Sequence, residues 1–88
     1  MEVEVELIGY LARLAGNQRK IRLEIGGEKP TILDLVKALG GRLGFELERN
    51  LAQILILLNG VEINGFMGLR TPLAEGDRLV FIPVSHGG

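Results

Sequence analysis

Cysteine is absent from this chain, and so is tryptophan. The first absence removes disulfides, zinc–thiolate sites and side-chain thiol nucleophiles together, so any sulfur chemistry has to occur on something other than a thiol. Histidine occurs once, at His86, and serine once, at Ser85, and neither has sequence partners that would build a catalytic triad or a metal cluster. An excess of one charge is lacking as well: ten Lys and Arg stand against eleven Asp and Glu, for a net charge of −1. The basic residues are scattered along the chain, which leaves no electrostatic footprint for direct binding of nucleic acid. Long apolar runs are missing too. The longest, "ILILL" at 54–58, falls far short of the roughly 20 residues that span a bilayer. The opening "MEVEVELI" alternates acid with apolar residues, where a secretory signal needs a basic start and a continuous apolar segment. The expectation is a cytoplasmic protein with no membrane segment.

What is present is one small domain of 88 residues, 47% apolar and 24% charged, near the size at which a single core suffices without staples. Residues 3–8 place Val3, Val5 and Leu7 on one face and Glu4 and Glu6 on the other, the period of a half-buried strand. A glycine-containing stretch with a short helical patch follows, and Ile21, Leu23 and Ile25 then alternate again, so the first quarter reads as a hairpin. Thr31 precedes an apolar series at Ile32, Leu35, Val36, Leu39 and Leu43, with Asp34 placed to close a capping box. Glycines at 40, 41 and 44 are expected to stop this helix. After the polar stretch "FELERNLAQ" come a strand at "ILILL", an Asn59-Gly60 turn, a short return strand and an irregular connection over 64–77. A closing strand then runs to Pro83. The order predicts an α+β fold: one main helix on one face of a four- to five-stranded mixed sheet.

A single helix covers a single face. If Ile54, Ile56, Leu58, Leu79 and Phe81 point inward, alternation turns Leu55, Leu57, Val80 and Ile82 outward as a contiguous apolar patch, a candidate docking surface. The alternatives are an opposite register, or residues 59–75 folded over the patch.

Catalytic constellations are thin. Glu2, Glu4 and Glu6 read as the wet face of a strand. "GGRLG" at 40–44 follows a helix and lacks the Gly-Lys-Ser/Thr ending of a phosphate loop. The remaining feature is the ending, "VSHGG" at 84–88. Extended, five residues reach about 16 Å, and two glycines would let a terminal carboxylate enter a channel too narrow for any Cβ. The boundaries expected are therefore 1–83 for the folded domain and 84–88 for a flexible diglycine tail. A frayed terminus that happens to end in glycine is the alternative.

The element order together with "TILDLVKAL", "ILILLNG", "TPLAEGDRLVFIPV" and the final "GG" resembles the ubiquitin-like β-grasp sulfur carriers, the MoaD and ThiS group and their archaeal small modifier relatives, over nearly the whole chain. His86 before the diglycine departs from the usual MoaD ending and is closer to the ubiquitin-related modifier branch. The resemblance implies a carrier, not an enzyme. An ATP-dependent, ubiquitin-activating-type enzyme would adenylate Gly88, and sulfur would replace AMP to leave a thiocarboxylate, with Gly87 giving clearance and His86 and Ser85 completing the tail. ATP and magnesium would belong to that partner, with no cofactor or metal bound by this chain. The onward partner would be a sulfur-accepting enzyme or target-protein lysines, for transfer-RNA thiolation or protein conjugation. Alternatives are a MoaD-like small subunit of molybdopterin synthase, a thiamine-pathway sulfur carrier, and a β-grasp module that only binds non-covalently.

Overall fold

Each alternating segment of the sequence becomes a strand of one sheet in the computed structural model, which describes residues 1–84. β1 (Glu2–Leu7) buries Val3, Val5 and Leu7 and leaves its glutamates on the other face. After Gly9 the chain makes the short helix α1 (Tyr10–Leu14), which adds Leu11 to the core. β2 (Lys20–Glu24) returns antiparallel to β1, with Leu23 opposite Val3 and Ile21 opposite Val5.

The main helix, α2 (Ile32–Leu43), starts where the sequence places it. Asp34 accepts hydrogen bonds from the Thr31 N–H at 2.8 Å and the Thr31 hydroxyl at 3.1 Å. These bonds, the backbone one foremost, hold the Asp34 carboxyl below the usual carboxylate range. Ile32, Leu35, Val36, Leu39 and Leu43 are all buried against the sheet side.

The expected stop needs correction. Gly40 and Gly41 lie inside the helix, and Gly44 alone ends it, in the left-handed conformation at φ 63°, ψ 36°. Gly40 is there for space: a Cβ on it would lie 3.0 Å from the Phe45 carbonyl oxygen, because the chain leaving the helix crosses directly over it. The polar stretch that follows also has structure, a 3-10 run over Leu47–Gln53 that buries Leu47.

β3 (Ile54–Leu58) and β4 (Val61–Glu62) are joined by Asn59 and Gly60 at φ 49° and 87°, the positive pair that a tight hairpin turn demands. The Asn59 amide also ties this turn to the start of the last strand, donating to Asp77 Oδ1 and accepting from the Arg78 N–H, each at 3.0 Å. Residues 63–73 contain two 3-10 turns, Ile63–Gly65 and Gly68–Arg70. The segment is pinned to the start of α2: the Ile32 N–H donates to the Thr71 carbonyl at 3.0 Å and the Leu73 N–H to the Pro30 carbonyl at 2.9 Å. Its buried apolar side chains, Ile63 and Leu73, join the core there.

β5 (Arg78–Pro83) completes a five-stranded sheet in the order β2-β1-β5-β3-β4. β1 and β5 run parallel at its centre, and the other pairs are antiparallel. The core lies between one face of this sheet and α2, the α+β arrangement that the element order predicts. The hydrogen bonding goes one residue further than the sequence suggests. Pro83 lacks only its own N–H, and the Val84 N–H still donates to the Gln53 carbonyl at 2.9 Å. Among the described residues no helix is long and apolar enough to cross a membrane.

Candidate functional site

The uncovered face of the sheet divides into a charged half and an apolar half. On β1 and β2 the outward residues are Glu2, Glu4 and Glu6 beside Lys20, Arg22 and Glu24. Three of these acids are paired: Glu2 with Arg22 at 3.7 Å, Glu4 with Arg78 of β5 at 3.7 Å, and Glu24 with the N-terminal ammonium at 3.0 Å. Alternation predicts that these residues are wet. It does not show that Glu4 sits between two arginines from different strands, since only the parallel placement of β5 beside β1 brings Arg78 there.

The apolar half is carried by β3 and β5. Ile54, Ile56 and Leu58 point into the core with Leu79 and Phe81, which turns Leu55, Leu57, Val80 and Ile82 to the open side. The register makes them one block: Leu55 is opposite Ile82, and Leu57 is opposite Val80. Side chains directly opposite in an antiparallel pair touch, their Cβ atoms about 5 Å apart, so the four form a square. Leu55 is 37% exposed and the other three are half-buried. Residues 63–73 do not fold over the square, because they are tied to the start of α2. The square adjoins the end of the described chain. Ile54 pairs with Pro83, one residue beyond the Leu55–Ile82 pair, and Val84 is held by Gln53. Ser85, His86, Gly87 and Gly88, which the sequence singles out, lie outside the described residues.

Three further apolar side chains are exposed in and just after β4: Val61, Phe66 and Met67. Sequence reasoning missed them, since this irregular stretch has no period from which a face can be read. An open groove of about 490 Å³ lies between α2 and the 3-10 run, lined by Lys37, Gly40, Gly41, Phe45, Glu48 and others. It brings no nucleophile and base together. Among the described residues no three His, Asp or Glu side chains converge as a metal site.

Comparison with known proteins agrees with this geometry. The model of the ThiS family matches residues 5–88. Among solved structures, SAMP1 from Haloferax volcanii is similar at 29% identity and TM-score 0.79, over 100% of both chains. The small archaeal modifier protein 1 of Methanosarcina acetivorans is 25% identical at TM-score 0.75, covering 99% of this chain and 96% of that one. Urm1 from Trypanosoma brucei is 26% identical at TM-score 0.70, covering 99% and 95%. Among curated protein sequences none matches significantly.

Proposed function

This chain belongs to the ThiS family of ubiquitin-like β-grasp sulfur carriers, and from that premise we propose that Gly88 is its reactive residue and the open sheet face its docking surface. The observation that carries the reading is that the family match extends through residue 88 and so includes the diglycine. A carboxylate oxygen of Gly88 attacks the α-phosphorus of ATP held by an adenylating enzyme, which also supplies magnesium, and pyrophosphate leaves. Hydrosulfide then attacks the acyl carbon, the bond to AMP breaks, and a proton and AMP are released as the thiocarboxylate forms. The chain needs no side-chain thiol for this, in keeping with its lack of cysteine.

The square of Leu55, Leu57, Val80 and Ile82 is placed to work with such a tail. From Val84, the last described residue, whose N–H donates to the Gln53 carbonyl, the remaining four residues reach at most about 14 Å when extended. A partner docked on the square would therefore have its nucleotide within that distance of the edge of the sheet. Of the fates open to the thiocarboxylate, we favour protein conjugation or transfer-RNA thiolation over molybdopterin or thiamine synthesis. The support is the similarity to a small archaeal modifier protein and to Urm1, each at 25% identity or more, together with the His86-Gly87-Gly88 ending.

The test is mass spectrometry of the intact protein after incubation with ATP, magnesium, sulfide and the adenylating enzyme of the same organism. A carrier gains the mass difference of one oxygen exchanged for one sulfur, located at Gly88. A module that only binds shows no change, which would refute the reading. Isopeptide-linked peptides between Gly88 and a target lysine separate conjugation from sulfur transfer alone.

A further inference from the structure

The apolar square has a charged frame that no linear reading of the sequence shows. Glu6 of β1 is in register with Val80 of β5, Val80 with Leu57 of β3, and Leu57 with Glu62 of β4. These residues form one straight row across four strands: carboxylate, apolar, apolar, carboxylate. At about 4.8 Å per strand the two ends stand about 14 Å apart along the backbone.

These two acids differ from the others on the same face. Glu2, Glu4 and Glu24 are each matched by a cation, whereas Glu6 and Glu62 make no ion pair among the described residues. Lys20 is the cross-strand neighbour of Glu6 but forms no salt bridge with it. Glu62 has a fixed position, because its Oε2 accepts a hydrogen bond from the Asn64 N–H at 3.0 Å. Both residues are half-buried, and the pairing register sets each directly beside an apolar residue of the square.

On the reading that the square docks the adenylating enzyme, we infer that the enzyme meets it with an apolar ridge flanked by two basic side chains, one for Glu6 and one for Glu62. The charge arrangement sets both the chemistry and the spacing of the partner: Arg or Lys at two points about 14 Å apart, with apolar side chains between. Complementary charges at the rim of an interface act on encounter and orientation and are screened by salt, while the apolar centre supplies contact that salt does not weaken. Two separated charges also define an axis. The enzyme is then oriented along the row, at right angles to the strands and across the strand that leads to the tail.

The test measures the KM of the protein in ATP–pyrophosphate exchange with the adenylating enzyme, at low and at high ionic strength. The variants are Glu6→Gln, Glu62→Gln, the double variant, and Glu48→Gln as a control beside the groove on the helix side. The amide oxygen in Glu62→Gln still accepts from Asn64, and melting curves confirm that the fold is kept. Each single change is expected to raise KM about 3- to 10-fold at low salt and the double change more, with the differences shrinking at high salt and the control unaffected. Activation of the wild type with no change in the double variant would overturn the inference and leave the carrier reading standing. An equal loss at both ionic strengths would overturn it as well, since the effect would not be one of charge. If the wild type itself is not activated, the carrier reading fails and takes this inference with it.

Discussion

Asp34 and Leu39 sit on the same helix and stabilise the protein by different physics. Asp34 is exposed, and its role is to satisfy the start of α2 by accepting two hydrogen bonds from Thr31. Those bonds lower its folded pKa, so its contribution is complete above the unfolded value of about 4 and is lost as pH falls through the folded one. Thermal melts from neutral to acid pH should therefore show a steeper acid decline for the wild type than for Asp34→Asn. Parallel declines would mean that the capping carboxylate carries no pH-linked stability. Leu39 is fully buried in the core, and Leu39→Ala should cost about 2–5 kcal/mol in a denaturant titration. Both positions were legible in the sequence, because capping and apolar periodicity are local patterns.

Elements are where the sequence proved harder to read. Three glycines near the end of α2 look alike as letters and have three different environments. Gly44 is left-handed with open space around it, so Gly44→Ala should cost about 1 kcal/mol, from backbone conformation alone. Gly40 is helical but lies against the Phe45 carbonyl. Gly40→Ala should also destabilise, here by displacing the chain that follows the helix. Gly41 is helical, exposed and without neighbours, and Gly41→Ala should stabilise by about 0.5–1 kcal/mol. Chemical denaturation of the three variants checks the order, and a destabilising Gly41→Ala would show that something besides backbone entropy keeps glycine there. The 3-10 run over Leu47–Gln53 went unread for a related reason: its single buried residue, Leu47, makes no periodic pattern.

At the scale of the whole molecule, the docking role proposed for the open sheet face would separate stability from recognition. Leu57 and Ile82 lie outside the core that α2 covers. The pair Leu57→Glu and Ile82→Glu should lower unfolding free energy by no more than about 1 kcal/mol, yet weaken binding of the adenylating enzyme by about 2 kcal/mol or more. Calorimetric unfolding and a binding titration on the same preparations measure the two effects separately. Intact binding would place the docking surface elsewhere. A complementary test adds one alanine after Gly88. Activation should be abolished with the melting temperature unchanged, since the core side chains among the described residues all lie at or before Phe81, and unimpaired adenylation would exclude Gly88 as the reactive residue.

The sequence by itself determined which residues alternate, where the main helix begins and where the Asn-Gly hairpin turns, and it left open which side of β3 and β5 faces the core. The features it determined depend on interactions between residues a few positions apart. It also contained the diglycine, whose chemistry needs no tertiary contact to be proposed. Only the tertiary structure decided that Gly40 is required for close approach while Gly41 is not, because the atom that matters belongs to Phe45 as it crosses back over the helix. The row from Glu6 to Glu62 was decided there as well. Its members are brought together by one parallel and two antiparallel pairings, and pairing between distant strands is set by the packing of the whole sheet, not by any single segment.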